Sequence, residues 1–183
     1  MLLSLPQRID LLQQLRAYLQ SSPGALDEEK LQTQCNAWFT AEFINLSLLH
    51  ITDQYLQKDN LYKWIELYSK AVEEATSKNI GIVMAGNIPL VGFHDFLCGF
   101  ISGHNLYLKL SSKDEVLLTH IIDQLISWEP FLKEKVFITS RPKNADAYIA
   151  TGSNNSSRYF EYYFAKYPHI IRRNRTSAAV LNG

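Results

Sequence analysis

Apolar residues recur along the first third of the chain at intervals of three and four. Ile9, Leu12, Leu15 and Leu19 share one helical face, and the pattern runs out at Ser21-Ser22-Pro23-Gly24. A second helix is predicted over Thr40 to Tyr55. There Phe43, Ile44, Leu46, Leu48, Leu49 and Ile51 leave an apolar face, and Thr40 supplies an N-capping hydroxyl. A third runs from about Asn60 to Ala75, with Leu61, Trp64, Ile65, Tyr68, Ala71 and Val72 on one side. Residues 1–78 are thus read as a helical segment.

At Asn79 the period changes. Short β-rich runs now alternate with helical ones. The strand candidates are Ile80 to Ala85, Leu106 to Leu110, Val136 to Thr139, Tyr148 to Thr151, Ile170 to Arg172 and Ala178 to Leu181. Helical segments fit Pro89 to Ser102, Lys113 to Ser127 and Asn155 to Lys166. Such alternation implies right-handed βαβ units. The expected fold is α/β: a Rossmann-like, mostly parallel sheet over residues 79–183, helices on both faces, preceded by the helical segment.

Composition narrows the function without naming it. The chain has 183 residues, 46% hydrophobic and 20% charged, as an ordinary globular domain has. Eighteen basic residues balance eighteen acidic ones, so no global field favours nucleic acid. A basic-patch reading built on Arg172, Arg173 and Arg175 is correspondingly weak. Cys35 and Cys98 are the only cysteines, which does not suggest a secreted disulfide framework. The N-terminus lacks a continuous apolar h-region, and no run nears the ~20 residues that span a bilayer. A cytoplasmic protein without a membrane span is expected.

Three stretches carry candidate chemistry. In Gly81-Ile-Val-Met-Ala-Gly-Asn-Ile-Pro-Leu90 a strand ends at Gly86-Asn87, and Pro89 sits where a first helical turn should begin, with Gly103 placed to end the helix. Asn87 is either a plain cap or a fixed neutral donor suited to an oxyanion on a thioester carbonyl. In Leu106-Tyr-Leu-Lys-Leu-Ser-Ser-Lys113, Lys109 is either a solvated edge lysine or a crevice residue that binds ribose or phosphate. Ser111, Ser112 and Lys113 would then receive a 2′-phosphate. In Ala147-Tyr-Ile-Ala-Thr-Gly-Ser-Asn-Asn-Ser-Ser157, the loop Thr151-Gly152-Ser153 opens a helix. It is either a capping region or an anion site made of backbone N–H groups.

Other candidates fare worse. His94 and Asp95 are sequence neighbours on a helix and should point different ways. His94 and Cys98 share a face at i, i+4 but have no third ligand, so no metal site is expected. Cys98 reads as core. Lys166, Arg172, Arg173 and Arg175 form a basic run that either meets a cofactor's phosphates or is solvated. There is no GxSxG elbow.

Together GNIPLVGFHDF, SGHNLYLKLSSKDEVL, ATGSNNSSRYFEYYF and IIRRNRTSAAVLNG resemble the front half of the LuxC-type acyl-CoA reductases, within the aldehyde dehydrogenase superfamily. Asn36-Ala-Trp-Phe-Thr40 is similar to that family's helical N-terminal region. The resemblance implies an oxyanion role for Asn87, adenine-side ribose binding by Lys109, and Thr151, Gly152 and Ser153 near the cofactor phosphates. Ser112 falls where NAD-preferring relatives often carry glutamate, so with Lys113 beside it NADP(H) is favoured. Ser157 replaces a glycine usual in the superfamily's loop. The implied reaction reduces fatty acyl-CoA to aldehyde through a cysteine acyl-enzyme.

Neither Cys35 nor Cys98 matches the nucleophile, which the resemblance places beyond Gly183. The chain is therefore expected to be a cofactor-binding part without the catalytic domain, inactive alone. Apolar surface is then expected to be left exposed, and homo-oligomerisation is one way to cover it. The competing reading is a stand-alone, non-enzymatic nucleotide-binding or interaction module.

Overall fold

The computed structural model describes residues 3–21, 39–68, 76–174 and 178–180. The first helix, α1 (Leu5–Ser21), buries Ile9, Leu12, Leu15 and Leu19 along the predicted face. Helix α2 (Ala41–His50) starts at Thr40, whose hydroxyl accepts from the Phe43 N–H. The predicted run to Tyr55 is completed by one wider turn, Ile51–Tyr55, closed by Leu56 N–H donating to the Ile51 carbonyl. Helix α3 (Lys58–Glu66) buries Leu61 and Ile65. The expected continuation to Ala75 lies largely outside the described residues, as do Pro23-Gly24, Cys35, Asn36 to Trp38 and Arg175.

Five strands follow: β1 (Asn79–Val83), β2 (Asn105–Lys109), β3 (Val136–Ile138), β4 (Ala147–Thr151) and β5 (His169–Arg172). Every pairing is parallel and the order is β3-β2-β1-β4-β5. Each strand falls within a residue or two of its predicted bounds. The sixth does not form: Ala178 to Val180 is no strand, and Leu181 lies outside the described residues. Apolar alternation makes a strand only where a neighbour supplies its hydrogen bonds, and no described strand pairs with 178–180.

Helices α4 (Phe93–Ile101) and α5 (Glu115–Trp128) follow β1 and β2, and α6 (Asn154–Phe164) links β4 to β5. Right-handed crossovers running in opposite directions from β1 put α6 on the other face from α4 and α5. Gly99 lets α4 settle on β2, because a Cβ there would lie 2.5 Å from Leu106 Cδ2. On the far face Tyr148 of β4 stacks on Phe164 of α6 with centroids 4.1 Å apart. Helix α4 begins at Phe93, four residues after the expected start at Pro89. Leu90 has φ +58°, a left-handed conformation that no helix can propagate.

The helical segment is fastened to the sheet domain by α1. Arg8 is buried, its Nε donating to the Ile101 carbonyl (3.0 Å) and its Nη1 to Leu3 (2.6 Å), so its guanidinium satisfies the C-terminal end of α4. Gly103 has φ +78° and lies directly against that guanidinium. One continuous core of buried residues joins both parts. Apolar side chains also remain in water, among them Ile170 on β5 (55% exposed) and Val180 (91%).

Candidate functional site

The chain moves outward from β1 to β2 and β3, then crosses back to β4 and β5. The strand order therefore reverses beside β1, and the loops leaving β1 and β4 diverge into a crevice at the carboxyl edge. Register sets which residues emerge together. Val83 stands opposite both Lys109 and Ala150, and Thr151 opposite Arg172. Asn87, Lys109 to Lys113 and Thr151 to Ser153 consequently leave the sheet at one edge, though they are scattered through 67 positions of sequence.

The β1 loop lies hard against the β2 loop. A Cβ on Gly86 would sit 2.3 Å from Ser111 Oγ and 3.2 Å from Lys113 Cβ, so only glycine permits this approach. Next to it Asn87 is exposed in the turn 87–92, which is held by Val91 N–H on the Ile88 carbonyl (3.2 Å) and Phe93 N–H on Leu90 (2.9 Å). The N-cap of α4 is Gly92, without a side-chain bond, so Asn87 is not that helix's cap.

Lys109 is exposed at the last position of β2, on the opposite face from buried Leu106 and Leu108. The desolvation cost expected of a lysine within an apolar strand does not arise. Ser112 and Lys113 are exposed and Ser111 half-buried. Asp114, at the N-cap of α5, is 6% exposed.

The third loop is more fully committed than its sequence suggests. Gly152 donates its N–H to the Arg172 carbonyl (3.1 Å), and Ser153 caps α6 by accepting from Ser156 N–H (3.3 Å). Thr151 Oγ1 donates to Asp95 Oδ2 at 3.3 Å. The first-turn N–H groups of Asn154 and Asn155 are the ones a helix leaves without an internal partner. Ser157 is buried, its hydroxyl on the Asn154 carbonyl (2.8 Å).

Asp95 is the residue that sequence reasoning considered and set aside. It is 2% exposed and accepts from Thr151, pairs with the Arg172 guanidinium, and lies 3.7 Å from His94 Nδ1. It thereby ties the first turn of α4 to the ends of β4 and β5. The expectation that His94 and Asp95 point apart is corrected, because a wide angle between their Cβ directions still lets the imidazole swing back to the carboxylate. Contact with Asp95, then with Cys98 (Sγ 3.8 Å from the ring), raises the His94 pKa from 6.5 to about 9. An acid between two buried phenylalanines was the available signal. Its partners, 56 and 77 residues away, were not legible. In the basic run, Arg172 pairs with Asp95 and Arg173 with Glu161.

Among the described residues no cluster of three or more His, Cys, Asp or Glu side chains could hold a metal ion. None of the described helices is long and apolar enough to cross a membrane. An open cavity of about 370 Å3 lies elsewhere, between α4 and the starts of β4 and β5, where Cys98, Ser102 and His104 line it.

A wholly parallel, doubly wound sheet with its polar loops gathered at the switch point defines a Rossmann-like α/β fold. Neither a family model nor a curated protein matches the chain. Among solved structures it is similar to betaine aldehyde dehydrogenase of Staphylococcus aureus in complex with NAD+ (TM-score 0.67, 11% identity, 92% of this chain and 38% of that one). It is also similar to glyceraldehyde-3-phosphate dehydrogenase of Methanocaldococcus jannaschii complexed with NADP (TM-score 0.64, 12% identity, 92% and 41%). The fold is thus that found in aldehyde dehydrogenases, and the chain spans about two-fifths of the length of these structures.

Proposed function

We propose that this chain supplies the NADP(H)-binding part of a fatty acyl-CoA reductase. The observation that carries the reading is convergence. An exposed amide, an exposed lysine and a helix N-terminus meet at one switch-point edge of a sheet whose structural neighbours were solved with NAD+ and NADP.

The residues fit a phosphorylated dinucleotide. Ser112 and Lys113 are exposed beside Lys109, and residues 109–113 contain no carboxylate to repel a 2′-phosphate. In this reading Lys109 binds the adenine-side ribose and Ser111, Ser112 and Lys113 surround the 2′-phosphate. Thr151, Gly152 and Ser153 shape the loop at which the pyrophosphate meets the start of α6. Since Gly152 N–H and Thr151 Oγ1 already have partners, that loop acts mainly by shape and by the two helical N–H groups behind it. Bound there, the nicotinamide supplies a hydride. Asn87 donates its amide NH2 to the acyl oxygen as negative charge develops on it. Cys98, the one cysteine among the described residues, lies in α4 beside His94 and lines the cavity near the starts of β4 and β5, so in this reading it is not the nucleophilic thiolate.

Titration with NADPH and NADH, read by nicotinamide fluorescence, tests the proposal. NADPH should bind at least tenfold more tightly than NADH, and Lys109→Ala should weaken NADPH about tenfold, or 1.4 kcal/mol. Equal affinities would remove the 2′-phosphate assignment. Absence of binding would remove the cofactor reading altogether.

A further inference from the structure

Asp95 stands third in α4, between Phe93 and Phe96, both fully buried. A carboxylate 2% exposed in such surroundings is costly unless its oxygens are engaged. The two oxygens face different partners. Oδ2 accepts from the Thr151 hydroxyl at 3.3 Å, and Oδ1 pairs with the Arg172 guanidinium, with His94 Nδ1 3.7 Å away. Thr151 and Arg172 are register partners at the last positions of β4 and β5. The carboxylate thus joins α4, into which the Asn87 turn leads, to the two strands on the other side of the crevice.

Thr151 opens a loop with little freedom of its own. The Gly152 N–H is held by the Arg172 carbonyl at 3.1 Å, and a Cβ on Gly152 would lie 3.0 Å from both Ser156 Cβ and Phe160 Cε2. The loop therefore rests directly on the first turns of α6, which Ser153 caps. A shift of Thr151 is passed to the helix start, where the N–H groups of Asn154 and Asn155 lack internal partners. A buried ion pair is weak evidence of stability, and its best-attested use is to select one geometry. We propose that Asp95 is a positioning residue that fixes the Thr151-Gly152-Ser153 loop relative to the Asn87 turn, through the Thr151 hydroxyl. The inference rests on the reading of residues 151–153 as the loop that meets the cofactor's pyrophosphate. The same carboxylate neutralises the Arg172 guanidinium and holds it to the protein rather than to the cofactor.

NADPH titration and amide hydrogen exchange, both on the whole chain without denaturant, test this with Asp95→Asn, Thr151→Val and the double variant. Thr151→Val removes the hydroxyl and keeps the Asp95–Arg172 pair, so it should fold even where Asp95→Asn does not. Each single change should weaken NADPH about three- to tenfold, and the double no further than the worse single, because both break one link. Thr151→Ser, which keeps the hydroxyl, should retain most of the affinity. A merely structural Asp95 would lower stability and leave the affinity of the folded protein unchanged. Fully additive losses would mean that Thr151 meets the cofactor directly, and tighter binding in Asp95→Asn that Asp95 only restrains Arg172; either result overturns the proposal. The cofactor-free chain gives a separate reading. Exchange at the Gly152 amide should quicken several-fold in Asp95→Asn and Thr151→Val relative to the amides of β2. Unchanged exchange there overturns the proposal whatever NADPH does. Quickened exchange in a chain that does not bind NADPH removes the nucleotide reading and leaves Asp95 as the anchor of the loop alone.

Discussion

Replacing Asp95 with asparagine keeps its shape and removes its charge. The carboxylate is 2% exposed and serves Thr151, Arg172 and His94 together. A charge-assisted bond of this kind contributes about 1.5–3 kcal/mol, and breaking a fully buried pair costs about 3–5 kcal/mol. The Arg172 side chain is 34% exposed and can turn to water, so the lower range applies: a loss of about 2–3 kcal/mol. At a urea dependence of about 2 kcal/mol per molar, the unfolding midpoint should fall by about 1–1.5 M. The pH dependence gives an independent check. The folded His94 pKa, about 9, lies above its ordinary 6.5, so its contribution is complete below about 6.5 and is lost as pH rises through 9. In Asp95→Asn the His94 pKa falls back, so the stability gap between wild type and variant should narrow over that window. Urea unfolding at steps from pH 6 to pH 10 measures both effects. A midpoint unchanged within about 0.2 M, or a gap constant with pH, would refute the assignment of Asp95 as the hub.

Gly86→Ala should cost about 1–3 kcal/mol by overpacking against Ser111, with much of that stability recovered in Gly86→Ala/Ser111→Gly, measured by denaturant unfolding. Failure of the second change to rescue would place the clash elsewhere. Arg8→Ala should destabilise by about 2–3 kcal/mol, measured by denaturant unfolding, because it leaves the Ile101 and Leu3 carbonyls without their donor. Arg8→Lys should not restore it, since one ammonium cannot reproduce the two-pronged geometry. Lys109→Ala, titrated with NADPH as described above, separates a cofactor lysine from a solvated one.

Local sequence determined the elements. Ile9, Leu12, Leu15 and Leu19 faced inward as their spacing required, Thr40 capped the helix after it, and five strands appeared where β-rich runs lay between turns. These outcomes depend on neighbours a few residues apart, whose periodicity and capping chemistry are written into the chain. The start of α4 and the sixth strand escaped that reading, one because Leu90 adopts a left-handed conformation and the other because no partner strand is present among the described residues. The site divides in the same way. Asn87, Lys109 and Gly152 were visible as strand ends, but only the parallel register brought them to a common edge. Asp95 was weighed only as the neighbour of His94 and set aside. It owes its significance to burial among groups remote in sequence, Arg172 and Thr151. Desolvation and long-range pairing arise only once the chain has closed on itself, so the charges that matter most here were decided by tertiary structure.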